Sequence, residues 1–209
     1  MAAIHRLGTR AGASRAEARE ALPGDQIVPH PLGQTTHAIS IDAPPASVWS
    51  WLVQLGYHRG GWYTPGWIDR VFFSMENPGA ERILSEFQGL REGDTVPDGP
   101  PGTAWFDVVE LVPERHMVLH STTHLFETTK RLGVMTWVDW TWAFVLEELA
   151  PGTTRLVVRA RAAAGPRPSA DVMWHALIVP SDLLMATAML RGIRRRAEAL
   201  RDDTPAPAV

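Results

Sequence analysis

Hydrophobic and polar positions fall into blocks of two periodicities. Residues 35–41 alternate, with His37, Ile39 and Ile41 on one face and Thr36, Ala38 and Ser40 on the other, which predicts a strand. Pro44-Pro45 stops it and suits the first turn of a helix, where a backbone N–H is unpaired in any case. Val48, Trp49, Trp51, Leu52 and Leu55 then form an apolar stripe at helical spacing, closed by Gly56. A glycine-rich bend (Gly60-Gly61) leads into a short amphipathic helix over 67–73, and a second short helix or turn covers about 80–90. Turn residues occupy 93–94 and 97–102. Period two then returns over 104–112, 117–123, 134–147 and 153–162, joined by short turns, which predicts an antiparallel meander. Gly165-Pro166-Arg167-Pro168 links this meander to a long helix over 170–201, with Ser169 as N-cap. Pro180 is expected to kink or split it. The order strand, helices, strands, long helix predicts an α+β fold in which a curved antiparallel sheet wraps a C-terminal helix. Residues 1–34 read as a peripheral arm, 35–201 as one domain and 202–209 as a disordered tail.

Composition narrows the chemistry. The chain has 209 residues, nine Trp and no Cys. Absence of Cys removes disulfides, zinc–thiolate sites, thiol catalysis and a Rieske cluster. A net charge of -3 argues against a nucleic-acid binder. Nineteen of the twenty basic residues are Arg, as a GC-rich coding genome would give. Five Arg crowd the end of the last helix, where positive charge suits the helix dipole, and they read as a solvated face rather than a partner surface. No apolar run approaches the ~18–20 residues of a membrane span, and the first twenty residues lack a secretory apolar core. A cytoplasmic location is the expectation.

Residues 41–49 (Ile41-Asp42-Ala43-Pro44-Pro45-Ala46-Ser47-Val48-Trp49) resemble the first strand-to-helix segment of the SRPBCC, or START/Bet v 1-like, superfamily, which includes polyketide cyclase/dehydrase and lipid-transport proteins. Gly60-Gly61-Trp62-Tyr63, residues 90–96, Trp142-Ala143-Phe144-Val145-Leu146-Glu147, Thr154-Arg155-Leu156 and residues 190–198 extend the likeness over about 22–200, toward a mostly bacterial branch. The resemblance implies the helix-grip fold, with two or more short helices after the first strand. It also implies a cavity between sheet and last helix. Such folds serve carriers, cyclases, hydrolases and oxygenase subunits, so fold alone assigns no activity.

Two functions follow from that cavity: binding of a hydrophobic or aromatic small molecule, or a polyketide cyclase/dehydratase-type reaction by acid–base chemistry. Trp140, Trp142, Phe144 and Leu146 share one strand face, and the resemblance turns Trp142, Phe144 and Leu146 toward the last helix. That face reads equally as core packing or as an aromatic wall. Trp62, Trp67, Met173 and Met185 complete the expected ligand-binding set. His120 is the favoured acid or base, turned inward if it shares the core-facing side with Val118, and Tyr63 the favoured carbonyl donor. Asp69, Glu127 and Asp139 are further polar candidates, with Asp139 expected outward if Trp140 faces inward. His120 and His124 are four apart, but on a strand and loop that spacing does not converge on a metal. HExxH, GxxxxGK[ST], GxGxxG and GxSxG are all absent, so no metal and no cofactor is expected. Nor does the sequence itself pair a Ser with His and Asp.

Overall fold

The structure is a computed structural model and describes residues 8–73, 78–125 and 127–202, without the side chains of residues 69, 71–73, 201 and 202. The elements run β1 (Gly33–Ile41), α1 (Pro45–Leu52), α2 (Gly66–Phe73), a 3-10 turn (Ser85–Phe87), β2 (Thr95–Pro97), β3 (Trp105–Val112), β4 (His116–Ser121), α3 (Glu127–Arg131), β5 (Trp137–Ala150), β6 (Thr153–Gly165), α4 (Ser169–Met173), a π-helical turn (Trp174–Ile178) and α5 (Val179–Asp202). Six strands form one antiparallel sheet in the order β1-β6-β5-β4-β3-β2. The chain therefore folds β2 to β6 as a meander, and β1 closes the far edge by pairing with β6. The curved sheet grips the C-terminal helix, which packs along β1 and α1. The expected disordered tail lies outside the described residues except for residue 202, which ends α5.

Alternation along the strands decides what faces the helix. Leu156, Val158 and Ala160 on β6, Trp142, Phe144 and Leu146 on β5, Met117 and Leu119 on β4, and Phe106 and Val108 on β3 all join one core with α1 and α5. The opposite, outer face is also buried at its centre, where Val118, Ala143 and Arg159 lie side by side across three strands. The N-terminal arm covers this row. A Cβ on Gly24 would lie 2.5 Å from Val118, and Asp25 accepts a 2.7 Å hydrogen bond from Arg159.

Pro180 neither splits nor ends the last helix. The turn just before it widens, and Val179 N–H bonds back to Trp174 O, five residues away. Such a π turn accommodates a residue that lacks an N–H and crowds the carbonyl four positions back. Helical structure consequently runs unbroken over Ser169–Leu200, a length and composition sufficient to cross a membrane. Between Asp171 and Arg191 its only Asp, Glu, Lys or Arg side chain is Asp182.

Candidate functional site

The helix-facing side of the sheet carries a continuous aromatic stack. Trp142 lies 5.2 Å from Trp62, 5.1 Å from Phe144 and 5.8 Å from Phe106, centroid to centroid. Trp62 reaches this wall because Gly56 and Gly61 bridge a tight bend that turns the chain back over the sheet. Trp142, Phe144 and Trp62 are thus brought together. Trp140 continues the wall half-buried, packed also against the neighbourhood of Met173 and Ala170. Met185 is half-buried on α5, and Trp67 is exposed, apart from the wall. The indole nitrogens of Trp140 and Trp142 are buried without a hydrogen-bond partner among the described residues.

Tyr63 does not present its hydroxyl to a ligand. It donates a 2.9 Å hydrogen bond to Trp51 O, and the Arg196 guanidinium lies 4.7 Å over its ring. Burial raises its pKa above the ordinary phenol value. The backbone approaches closely here: a Cβ on Gly192 of α5 would fall 2.2 Å from Tyr63 O. Tyr63 itself holds φ 57, a conformation uncommon outside glycine, and these contacts keep it there.

His120 points away from the aromatic wall, which corrects the inward placement expected for it. Met117 and Leu119 take the core-facing positions of β4, so His120 projects from the outer face. There its Nε2 donates to Asp139 Oδ1 at 2.6 Å, both groups being partly exposed. Val118 shares that outer face and owes its burial to the arm. Glu127 is exposed on α3 and pairs with Arg131, and the side chain of Asp69 lies outside the described set.

The histidine that meets the aromatic wall is His124. Its ring lies 4.4 Å from Phe106 and 5.7 Å from Trp140. Nε2 donates to Asp98 Oδ2 at 2.9 Å, since a carboxylate only accepts. Nδ1 lies 2.7 Å from Ser121 Oγ, which also accepts the Thr123 N–H. Ser, His and Asp therefore line up after all, drawn from the end of β4, the following loop and the residue after β2. No motif in the sequence signals this: Ser121 lies only three residues before His124, but Asp98 comes from a separate turn 26 residues earlier. Thr123 holds the loop in place by accepting from Trp105 N–H and donating to Trp105 O. Asp98 orients the imidazole with Nδ1 toward the Ser121 hydroxyl, whose one hydrogen is shared between His124 Nδ1 at 2.7 Å and Thr123 Oγ1 at 2.9 Å.

Two surface recesses lie elsewhere. One, about 430 Å³, is formed by Asp171, Val172, His175 and Ala176 at the π turn, and the other, about 390 Å³, lies between the arm and β6. Neither lies between sheet and α5, where the aromatic side chains of the wall pack against one another. Among the described residues no group of three His, Asp or Glu could hold a metal.

No protein-family model and no curated protein matches the chain. Solved structures do. A hypothetical protein from Helicobacter pylori superposes with a TM-score of 0.52 at 10% identity, covering 88% of this chain and 99% of that one. The aromatase/cyclase Zhui from Streptomyces sp. R1128 gives 0.47 at 14% identity over 85% and 99% of the two chains. A norcoclaurine synthase point mutant from Thalictrum flavum gives 0.44 at 11% over 82% and 96%. With its six-stranded antiparallel sheet closed around one long C-terminal helix, the chain has a helix-grip fold.

Proposed function

We propose that the chain binds a flat, largely apolar small molecule against the aromatic wall, at the end where His124 meets Phe106 and Trp140. The carrying observation is the pair of unpartnered indole N–H groups of Trp140 and Trp142. A buried donor left unpaired costs about 1–3 kcal/mol, and a carbonyl or ether oxygen on a ligand would satisfy it. The ring faces supply apolar area and stacking. Because the wall is closely packed, entry requires Trp62 or the loop around His124 to part, and affinity falls by the fraction of time the wall is closed.

A second reading, an acid–base enzyme of cyclase or dehydratase type, is favoured by the Asp98–His124–Ser121 chain. In this role His124 replaces His120, and Tyr63 serves only to pack. Isothermal titration with flavone and with 1-anilinonaphthalene-8-sulfonate tests the binding reading without relying on Trp emission. Saturable binding that weakens severalfold in Trp142→Phe and Trp140→Phe is expected. No heat with either probe, or unchanged affinity in both variants, removes it.

A further inference from the structure

The outer face of β6 carries Arg155, Arg159 and Arg161, turned toward the N-terminal arm. Arg155 pairs with Glu17 at 2.7 Å, a one-to-one match. Further along, one carboxylate serves two guanidiniums: Asp25 accepts from Arg159 through Oδ2 at 2.7 Å and faces Arg161 through Oδ1 at 3.2 Å. Arg159, 2% exposed, is otherwise satisfied by Thr36 Oγ1 and by the carbonyls of Glu17 and Glu20. Arg161 is not. Its Nη2 makes a long 3.3 Å bond to Pro29 O, and its Nε is buried with no partner among the described residues.

These groups line the recess of about 390 Å³ between arm and sheet, with Arg19 on its rim. Arg19 is exposed and makes no ion pair among the described residues. The charged groups of the recess are Arg19, Arg159 and Arg161 against Glu20 and Asp25, so guanidinium exceeds carboxylate by one. The Glu20 side chain is exposed, and it is the Glu20 backbone carbonyl that engages Arg159. A guanidinium with an unused Nε–H is a donor fork suited to an oxyanion, which accepts two parallel bonds.

We infer that this recess is a binding site for a small oxyanion, the head of a phosphate monoester or a carboxylate, held by Arg161 and Arg19 and bridging the arm to β6. The site is on the opposite face of the sheet from the aromatic wall and stands whether or not that wall binds a ligand. An occupant would neutralise the surplus guanidinium and fasten the arm, so it should stabilise the folded chain by mass action.

Thermal unfolding of the full chain is followed against sodium phosphate and against sodium citrate, with sodium chloride at matched ionic strength. A saturable rise in Tm with phosphate or citrate beyond that with chloride is expected, and the more effective anion identifies the head group. Arg161→Gln should weaken the apparent affinity about tenfold or more, as loss of a charge-assisted bond predicts. Arg161→Gln also removes a partner of Asp25, so Arg19→Gln is the second variant. It breaks no ion pair among the described residues and should weaken the anion severalfold at unchanged basal Tm. Chloride matching both anions, or both variants retaining wild-type affinity, overturns the assignment.

Discussion

Replacing Phe144 by Ala asks whether the space between sheet and helix is filled or open. Phe144 is fully buried on β5, flanked by Met117 on β4 and Val158 on β6, with Trp142 5.1 Å away on the same face. Deleting its ring removes apolar burial and leaves a void whose walls, two strands and an indole, are held by backbone hydrogen bonds and relax little. Phe→Ala at such sites costs about 3–5 kcal/mol. For a chain of this length each kcal/mol shifts Tm by roughly 2–4 °C, so a fall of about 6–20 °C is expected. Urea unfolding followed by far-ultraviolet circular dichroism measures it, and the slope should stay constant because the surface exposed on unfolding hardly changes. An apolar probe that fits the new void should restore part of the loss in a concentration-dependent way. A loss below about 1 kcal/mol would refute the reasoning, since Phe144 would then already border free space.

Two further perturbations test the arm and the helix seat. The side-chain hydrogen bond from Arg155 holds Glu17 at a pKa of about 2, below its ordinary 4.5. A folded value below the unfolded one stabilises the fold above the unfolded pKa and loses that contribution as pH falls toward the folded pKa. The stability gap between wild type and Glu17→Gln should therefore be full at pH 7 and shrink between about pH 5 and 2; a gap that stays constant in urea melts at pH 7 and pH 3 counts against the pair. At Gly33 an added Cβ would lie 2.0 Å from Trp174 Nε1, so Gly33→Ala must push Trp174 or the strand aside. A loss of about 1–3 kcal/mol is expected, with a changed near-ultraviolet Trp signal, and a thermal melt superposing on wild type would place Trp174 elsewhere.

What could be read in advance follows from range. The strands were legible because period two survives over whole segments such as 153–162, and their order with short turns implied the meander. The parity of β4 was not, since Val118 and Leu119 are both apolar neighbours, and burial of Val118 depends on a glycine nearly a hundred residues earlier. That ambiguity is what points His120 inward in the sequence. The sequence offers His124 only as a metal ligand, because Asp98 reaches it from a separate turn 26 residues away and the three-residue step to Ser121 matches no catalytic motif. β2 and α3 are short and carry too little periodicity to be legible as elements. A signal for the arm did exist: Arg155, Arg159 and Arg161 fall on one face of an otherwise apolar strand, and such a row needs carboxylates or carbonyls from outside the sheet. Burial pushes the Arg159 pKa below its usual value, as expected for a cation taken out of water beneath a covering segment.

The two faces of the sheet are not independent, because one imidazole joins the arm to the gripped helix. His37 lies on the helix-facing side of β1 and is 1% exposed. Its Nδ1 accepts the Ala11 N–H at 3.1 Å, which obliges the hydrogen to sit on Nε2. Nε2 then donates to Asp182 Oδ2 on α5 at 2.8 Å. Asp182 is the one charged side chain in the apolar half of that helix, and it is committed here rather than to solvent. The arm adds a second bond to the same edge, where Ala38 N–H donates to Ala11 O. Freeing the arm would thus unpair β1 at Ala38 and release the His37 tautomer that fixes Asp182, loosening the helix against β1. Whatever fastens the arm on the outer face, the Arg159–Asp25 pair or an oxyanion at Arg161, stabilises through β1 the same helix that closes the aromatic wall.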